Sequence, residues 1–385
     1  MLSTRFIKAN DEVCDFGHPV PAPYFRKSLQ IDSVPKTATI TICGLGFYEF
    51  HVNGKNITKG PLAPYISNPD DLCYYDAYDV AAELRQGENV IGVLLGNGFR
   101  NAFGGFVWDF DQAKSRGPVI LALSFDAETG KEGAPLHFEA DESFRTHDSP
   151  VVFNDSRMGC RYDARLEIPG WDLPGFDDSA WAPARRAEAP RGDAKLCSAD
   201  PIVVSARLSP VHIDSFAELP FAYQSKSVTA PPRKGCTRKD VYVYDFGENN
   251  AGVTELRING TPGQTITIRH GEWLQNGKFS VETTIFDRAE WLQRYLDHAQ
   301  TDVFICKGGE EVFTPRFKYD GFRYAYVEGL RPDQATPEAL TFVVLNSNLK
   351  ARAGFVCSDE RLNRLFAMTR RADLSNFHYF PTDCP

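Results

Sequence analysis

Ala38-Thr39-Ile40-Thr41-Ile42 and, a few residues on, Tyr48-Glu49-Phe50-His51-Val52-Asn53-Gly54 carry the clearest fold signal in the chain. In both runs apolar and polar residues alternate, which sends every second side chain to one face of an extended strand. Asn53 and Gly54 both tolerate positive φ, the requirement of a two-residue hairpin turn, so the second run closes a β-hairpin. Working outward, further strands are expected at 89–95, 119–125, 241–245, 252–258, 265–269, 302–306, 323–328 and 340–345. They are short and turn-bounded, with no long helical periods between them to supply parallel crossovers. Sandwiches are therefore favoured over a doubly wound sheet. Composition agrees: 28 Phe and 15 Tyr supply strand formers, and 30 Gly with 25 Pro supply turns.

A length of 385 residues allows two or three domains, each with its own core. The net charge of -9, without a long Lys/Arg run, argues against a phosphate-tracking surface, so nucleic acid is not an expected partner. No run approaches the roughly 20 apolar residues of a membrane helix, and Met1 to Lys8 has no apolar signal-peptide core; no membrane partner is expected and the expected address is cytoplasmic. Nine cysteines, odd in number and never spaced Cys-x-x-Cys, read as reduced thiols. Residues 183–201 have little hydrophobic pattern and several breakers, which suggests an interdomain connection, with a shorter one at 230–235. Near the end, Ser358 reads as an N-cap ahead of Asp359 and Glu360, and Leu362, Leu365, Phe366 and Thr369 share one face of an amphipathic helix. That face needs a partner, and few residues follow it.

Chemistry is harder to place. Glycoside hydrolysis needs two carboxylates flanking a scissile bond. Glu248 in Asp245-Phe246-Gly247-Glu248-Asn249-Asn250 and Glu272 in His270-Gly271-Glu272-Trp273 lie beside aromatics and glycines, although ordinary turn hydrogen bonding and packing are the favoured account of both. The glycine-rich run 95–105 lacks Gly-Lys-Ser/Thr and is not a nucleotide loop. As a carbohydrate-binding loop it offers Asn97, Phe99 and Trp108, with Phe103 and Phe106 nearby; burial of the rings between sheets is the favoured reading. Trp171 and Trp181 bracket a turn-rich acidic segment and read as rings that pin a loop. The eight histidines never pair at metal-ligand spacing, and no Gly-x-Ser-x-Gly elbow occurs. No cofactor or metal is expected; Ser67-Asn68-Pro69-Asp70-Asp71 offers oxygens to calcium but lacks the glycine and distal Glu of an EF-hand loop, so calcium is not signalled.

Asn53-Gly54, Tyr65, the run Tyr74 to Val80, Leu84 to Gly92 and Leu95-Gly96-Asn97-Gly98-Phe99 together resemble the N-terminal β-sandwich of bacterial α-L-rhamnosidases. Tyr244 to Gly252, Gly263 leading to Arg269-His270-Gly271-Glu272, and Phe313 to Tyr324 resemble the next sandwich of those enzymes. Ser358 to Pro385, with Pro381-Thr382-Asp383-Cys384-Pro385, resembles the opening of their helical catalytic barrel. The resemblance implies a mainly β chain: jelly-roll-like sandwiches at 1–188 and 201–347, then the truncated start of an (α/α)6 barrel at 348–385. It further implies a glycosidase parent that hydrolyses terminal α-L-rhamnosides by an inverting acid/base mechanism, with rhamnose-containing glycosides or glycans and the catalytic barrel as partners. In the family the general acid follows an Arg just after Asp-Cys-Pro, and the base lies far downstream, so no catalytic residue is assigned here. Only Asp383 carries over, as a substrate-binding residue. The expectation is a chain inactive alone; the alternative is a free-standing carbohydrate-binding or scaffold protein.

Overall fold

The computed structural model describes residues 2–15, 17–102, 113–128, 135–216, 241–275, 278–280 and 300–382. It divides into two compact units: residues 1–156 with 166–199, and residues 157–165 with 200–385.

In the first unit one sheet runs in the order Arg185–Ala187, Phe6–Lys8, Ile120–Glu128, Thr37–Leu45, Leu72–Asp79, Asp193–Leu196, with Leu136–Glu139 beside Ile120–Glu128. The other runs Ala182–Pro183, Arg145–Asp148, Pro23–Ile31, Gly87–Gly96, Phe47–Val52, Lys55–Asn56. The alternation seen in the sequence becomes the two faces of each strand. Ile40, Ile42, Leu121, Leu123 and Phe125 from the first sheet meet Phe25, Phe50, Ile91, Val93 and Leu95 from the second in one buried cluster. Each such side chain contributes on the order of 2 kcal/mol by leaving water, which is what holds the layers face to face. The hairpin forms as expected: Val52 pairs with Lys55, and Asn53 and Gly54 adopt φ of 50° and 84°.

The 183–201 segment is not a free connection. Residues Ala182–Pro183 pair with Arg145–Asp148, Arg185–Ala187 with Phe6–Lys8, and Asp193–Leu196 runs parallel to Leu72–Asp79. Edge strands are held by backbone hydrogen bonds and leave most side chains in water, so they show no hydrophobic pattern to read. The second proposed connection, 230–235, lies outside the described residues.

The second unit is organised around one long strand, Val241–Gly260. The sequence suggested two strands there. The backbone instead bulges between Asp245 and Asn250, where Gly247 takes a φ of 78°, and continues. Before the bulge the strand lies between His212–Phe216 and Asp320–Glu328; beyond it, between Gly309–Phe313 and Leu340–Ser347. Thr265–Gly271 pairs with Asp320–Glu328 and Thr301–Ile305, Gly159–Asp163 adds in parallel to Thr301–Ile305, and Ile202–Leu208 pairs with Leu340–Ser347. The helix is Glu360–Ser375, and its N-cap is Asp359, whose side chain accepts from the Arg361 N–H, not Ser358. Asp is as good a cap as Ser and also places its charge at the helix start. Leu362, Leu365, Phe366 and Met368 remain exposed.

Candidate functional site

In the 95–105 loop, Gly98 has a φ of 52°, and a Cβ there would stand 2.9 Å from the Gly46 Cα, so only glycine lets the loop close on its neighbour. Asn97 is 1% exposed. Its N–H donates to Asn154 Oδ1 at 2.7 Å and its amide nitrogen to Asn154 O at 2.9 Å, while Asn97 Oδ1 and Asn154 Nδ2 keep no protein partner. Asn101 Oδ1 accepts from the Cys14 N–H, and Arg100 donates to Pro118 O and Ser115 O. The amides of this loop are thus mostly spent inside the fold. Phe99 is half-buried, its ring edge-on to Phe47 at 6.2 Å. Trp108, Phe103, Phe106 and Asp383 lie outside the described residues.

Asp383 is preceded by a segment that is well held. His378 is buried and stacks on Tyr319 at 3.7 Å, the Tyr379 N–H donates to Ser347 Oγ at 2.6 Å, and the Thr382 N–H donates to Asn376 O. Burial pushes the His378 imidazole down to about 4.

Glu248 and Glu272 sit at the bulge and at the end of Thr265–Gly271. Glu248 accepts from Arg371 of the helix at 2.7 Å, and Glu272 Oε1 accepts from Asn249 Nδ2 at 2.9 Å. Each has a partner that explains it without chemistry. Trp171 and Trp181 flank Tyr24, with centroids 4.1 and 6.1 Å away, and pin the segment 167–181 onto the outer face of their sheet. On that face His51 Nδ1 stands 2.8 Å from Asp172 Oδ2. Burial depresses the His51 imidazole, but the Asp172 and Glu49 carboxylates outweigh it and hold it above its usual range.

Among the described residues, the most concentrated chemistry lies in the core of the second unit. His270, Asp302, Lys318 and Asp320 are all buried, their side chains out of reach of solvent. Lys318 Nζ is 3.0 Å from Asp302 Oδ1 and 2.5 Å from Asp320 Oδ2. His270 Nδ1 is 2.9 Å from Asp320 Oδ2, and its Nε2 is 3.2 Å from Thr254 Oγ1. The Cys160 N–H donates to Asp302 Oδ1 at 2.8 Å; Asp302 Oδ2 and Asp320 Oδ1 have no hydrogen-bond partner. Burial holds the Asp302 carboxyl above its usual range, whereas at Asp320 the ammonium of Lys318 and the ring of His270 overcome the same penalty and hold it below. Burial also opposes the charge on Lys318, but the two carboxylates prevail and raise its pKa. Among the described residues, His270, Asp302 and Asp320 are close enough to share a metal ion, yet the Lys318 ammonium already contacts both carboxylates and supplies the positive charge that an ion would bring.

In the sequence His270, Lys318 and Asp320 stand out only as parts of motifs, and Asp302 only as the start of an expected strand. The available signal was a Lys two residues from an Asp at the start of a strand, Lys318-Tyr319-Asp320, since alternation puts both on one face.

Two family models match the chain. The alpha-L-rhamnosidase N-terminal domain matches residues 33–206, and the bacterial alpha-L-rhamnosidase concanavalin-like domain matches residues 236–346. An alpha-L-rhamnosidase of Formosa agariphila is 32% identical over 376 residues, covering 94% of this chain and 36% of that protein. One of Streptomyces avermitilis is 30% identical over 349 residues, 90% of this chain and 30% of its own length. The chain therefore spans about a third of these relatives. Among solved structures, the alpha-L-rhamnosidase of Dictyoglumus thermophilum superposes with a TM-score of 0.82 at 31% identity, covering 99% of this chain and 40% of that one. The Streptomyces avermitilis enzyme complexed with L-rhamnose gives 0.78 at 26% identity, with 95% and 32% covered.

Proposed function

The chain belongs to the α-L-rhamnosidase family, and we propose that it is the non-catalytic N-terminal part of such an enzyme, whose helical catalytic part cleaves terminal α-L-rhamnosides. The observation that carries this reading is the succession of the two family domains along one chain that spans about a third of its relatives. Among the described residues, the geometry of the four acids singled out above supports it. Inverting hydrolysis uses one carboxyl to protonate the leaving oxygen and another to activate water, roughly 6.5–9.5 Å apart around an open cleft. Glu248 and Glu272 are each tied to a neighbour, and Asp302 and Asp320 are sealed in a core no sugar can enter. On this reading the two β-domains orient the catalytic part, and the Tyr319–His378 stack with the Tyr379–Ser347 bond fixes the segment that leads to Asp383, the residue assigned to substrate binding. A cytoplasmic setting belongs to the same reading and is supported by the described cysteines being free thiols.

Incubated with an aryl α-L-rhamnoside, the 385-residue chain is expected to release no aglycone above the blank; clear turnover would overturn its non-catalytic assignment. A second reading, glycan contact by the first unit, is favoured by Phe99, a half-buried ring on a tightly braced loop. Calorimetric titration with L-rhamnose separates the two: saturable heat that is lost in Phe99→Ala supports contact, and a flat titration leaves orientation alone.

A further inference from the structure

A lysine ammonium and two carboxylates sealed in a β-sandwich core, with a ring nitrogen beside them, are placed for a condensation as well as for an ion pair. We propose that Lys318 and Asp302 join through an intramolecular isopeptide bond, with Asp320 and His270 moving the protons.

The nucleophile is Lys318 Nζ, held 3.0 Å from Asp302 Oδ1 and therefore against the carboxyl it attacks. In a site sealed from solvent the ammonium and its two carboxylates hold one another charged, and the reaction runs through the minor form in which one proton has moved and an amine faces an acid. Asp302 suits the acid role, because burial already holds its carboxyl above the usual range. Its Oδ1 accepts the Cys160 N–H at 2.8 Å, a fixed backbone donor for the oxygen that becomes negative in the tetrahedral intermediate. Its Oδ2, fully buried and without a hydrogen-bond partner, is the oxygen that leaves.

The protons have a route. Asp320 Oδ2, 2.5 Å from Nζ, takes the proton that the nitrogen sheds on attack. His270 Nδ1 stands 2.9 Å from that same oxygen and 3.8 Å from Asp302 Oδ2, between the acid that receives the proton and the hydroxyl that must depart with it. The Nζ–Cγ bond forms, the Cγ–Oδ2 bond breaks, and one water leaves. Of the three ammonium protons, two reach Asp302 Oδ2 through Asp320 and His270, one before the attack and one as the hydroxyl departs, and the third stays on the amide nitrogen. No oxidant or cofactor is consumed. Preorganisation of the reacting groups substitutes for chemical activation of the acid, and exclusion of water opposes the reverse hydrolysis. The bond would tie strand Thr301–Ile305 to the entry of Asp320–Glu328, across the intervening strand Thr265–Gly271.

The test is the intact mass of the purified, reduced and denatured chain. The expected value is one water, about 18 Da, below the mass the sequence requires, with trypsin unable to cut after Lys318 and a branched peptide joining the segments of Asp302 and Lys318. Lys318→Met is expected at its full sequence mass, and Asp320→Asn retains a free Lys318. In Asp302→Asn the leaving group is ammonia, so the deficit becomes about 17 Da. A wild-type chain at full mass with normal cleavage after Lys318 overturns the proposal, as does a deficit mapped to any other pair. The wild-type measurement decides even if a variant fails to fold.

Discussion

Arg26 is the residue that best illustrates how this fold handles charge. It lies on an inner strand of the first unit, 1% exposed, and its guanidinium donates to Trp171 O at 2.9 Å, Leu173 O at 3.2 Å, Ser28 Oγ at 2.9 Å and the Asp178 carboxylate. One planar fork therefore satisfies the backbone of the 167–181 segment that the Trp171 and Trp181 rings hold down. Lysine has neither the number of donors nor their spread. Arg26→Ala strands two carbonyls and a carboxylate and removes the stem that packs beneath them. A loss of about 3 kcal/mol is expected in urea unfolding of the first unit, with much of it persisting in Arg26→Lys. An effect within about 0.5 kcal/mol would show that the segment is held by its aromatic rings alone. The sequence shows the two Trp rings that pin the loop but not the burial of Arg26, whose strand was not among those expected and whose partners come from a loop some 145 residues away.

At the scale of elements, the hairpin at Asn53-Gly54 and the alternating strands were legible because their signals are local. The short strands at 182–196 were not, since edge pairing needs only backbone, and the long strand Val241–Gly260 was read as two because its bulge looks like a turn. The small hairpin Phe377–His378 with Phe380–Pro381 is an element whose attachment should depend on pH. His378 is buried as the neutral ring, its pKa lowered from 6.5 to about 4. A group depressed on folding contributes stability that is present above its unfolded pKa and is lost as pH falls through the folded one. The attachment should thus be constant above about pH 7 and weaken between pH 6.5 and about 4, by at most about 3 kcal/mol. Hydrogen exchange at the Tyr379 amide reads this directly. His378→Phe keeps the stack on Tyr319 and should abolish the pH dependence; unchanged dependence in that variant would assign it to another group.

For the whole molecule, two units with separate cores predict two unfolding transitions. Phe322 is fully buried in the second unit, 3.8 Å from Phe342 and 6.0 Å from Phe246 between ring centroids. Phe322→Ala should cost about 3–5 kcal/mol and lower one calorimetric transition, while Arg26→Ala lowers the other. A single transition moved equally by both variants would mean that the units unfold as one. The amino-acid order alone established the β class, the hairpin, the C-terminal helix and the family motifs, because alternation, turn chemistry and capping act between residues only a few positions apart. Only the folded chain decided that Asp193–Leu196 is a strand, that Arg26 is inside, and that His270, Asp302, Lys318 and Asp320 meet in one core. A buried charge is tolerable only beside its counter-charge, and those partners come from separate strands and connections whose register is set when the sheets assemble.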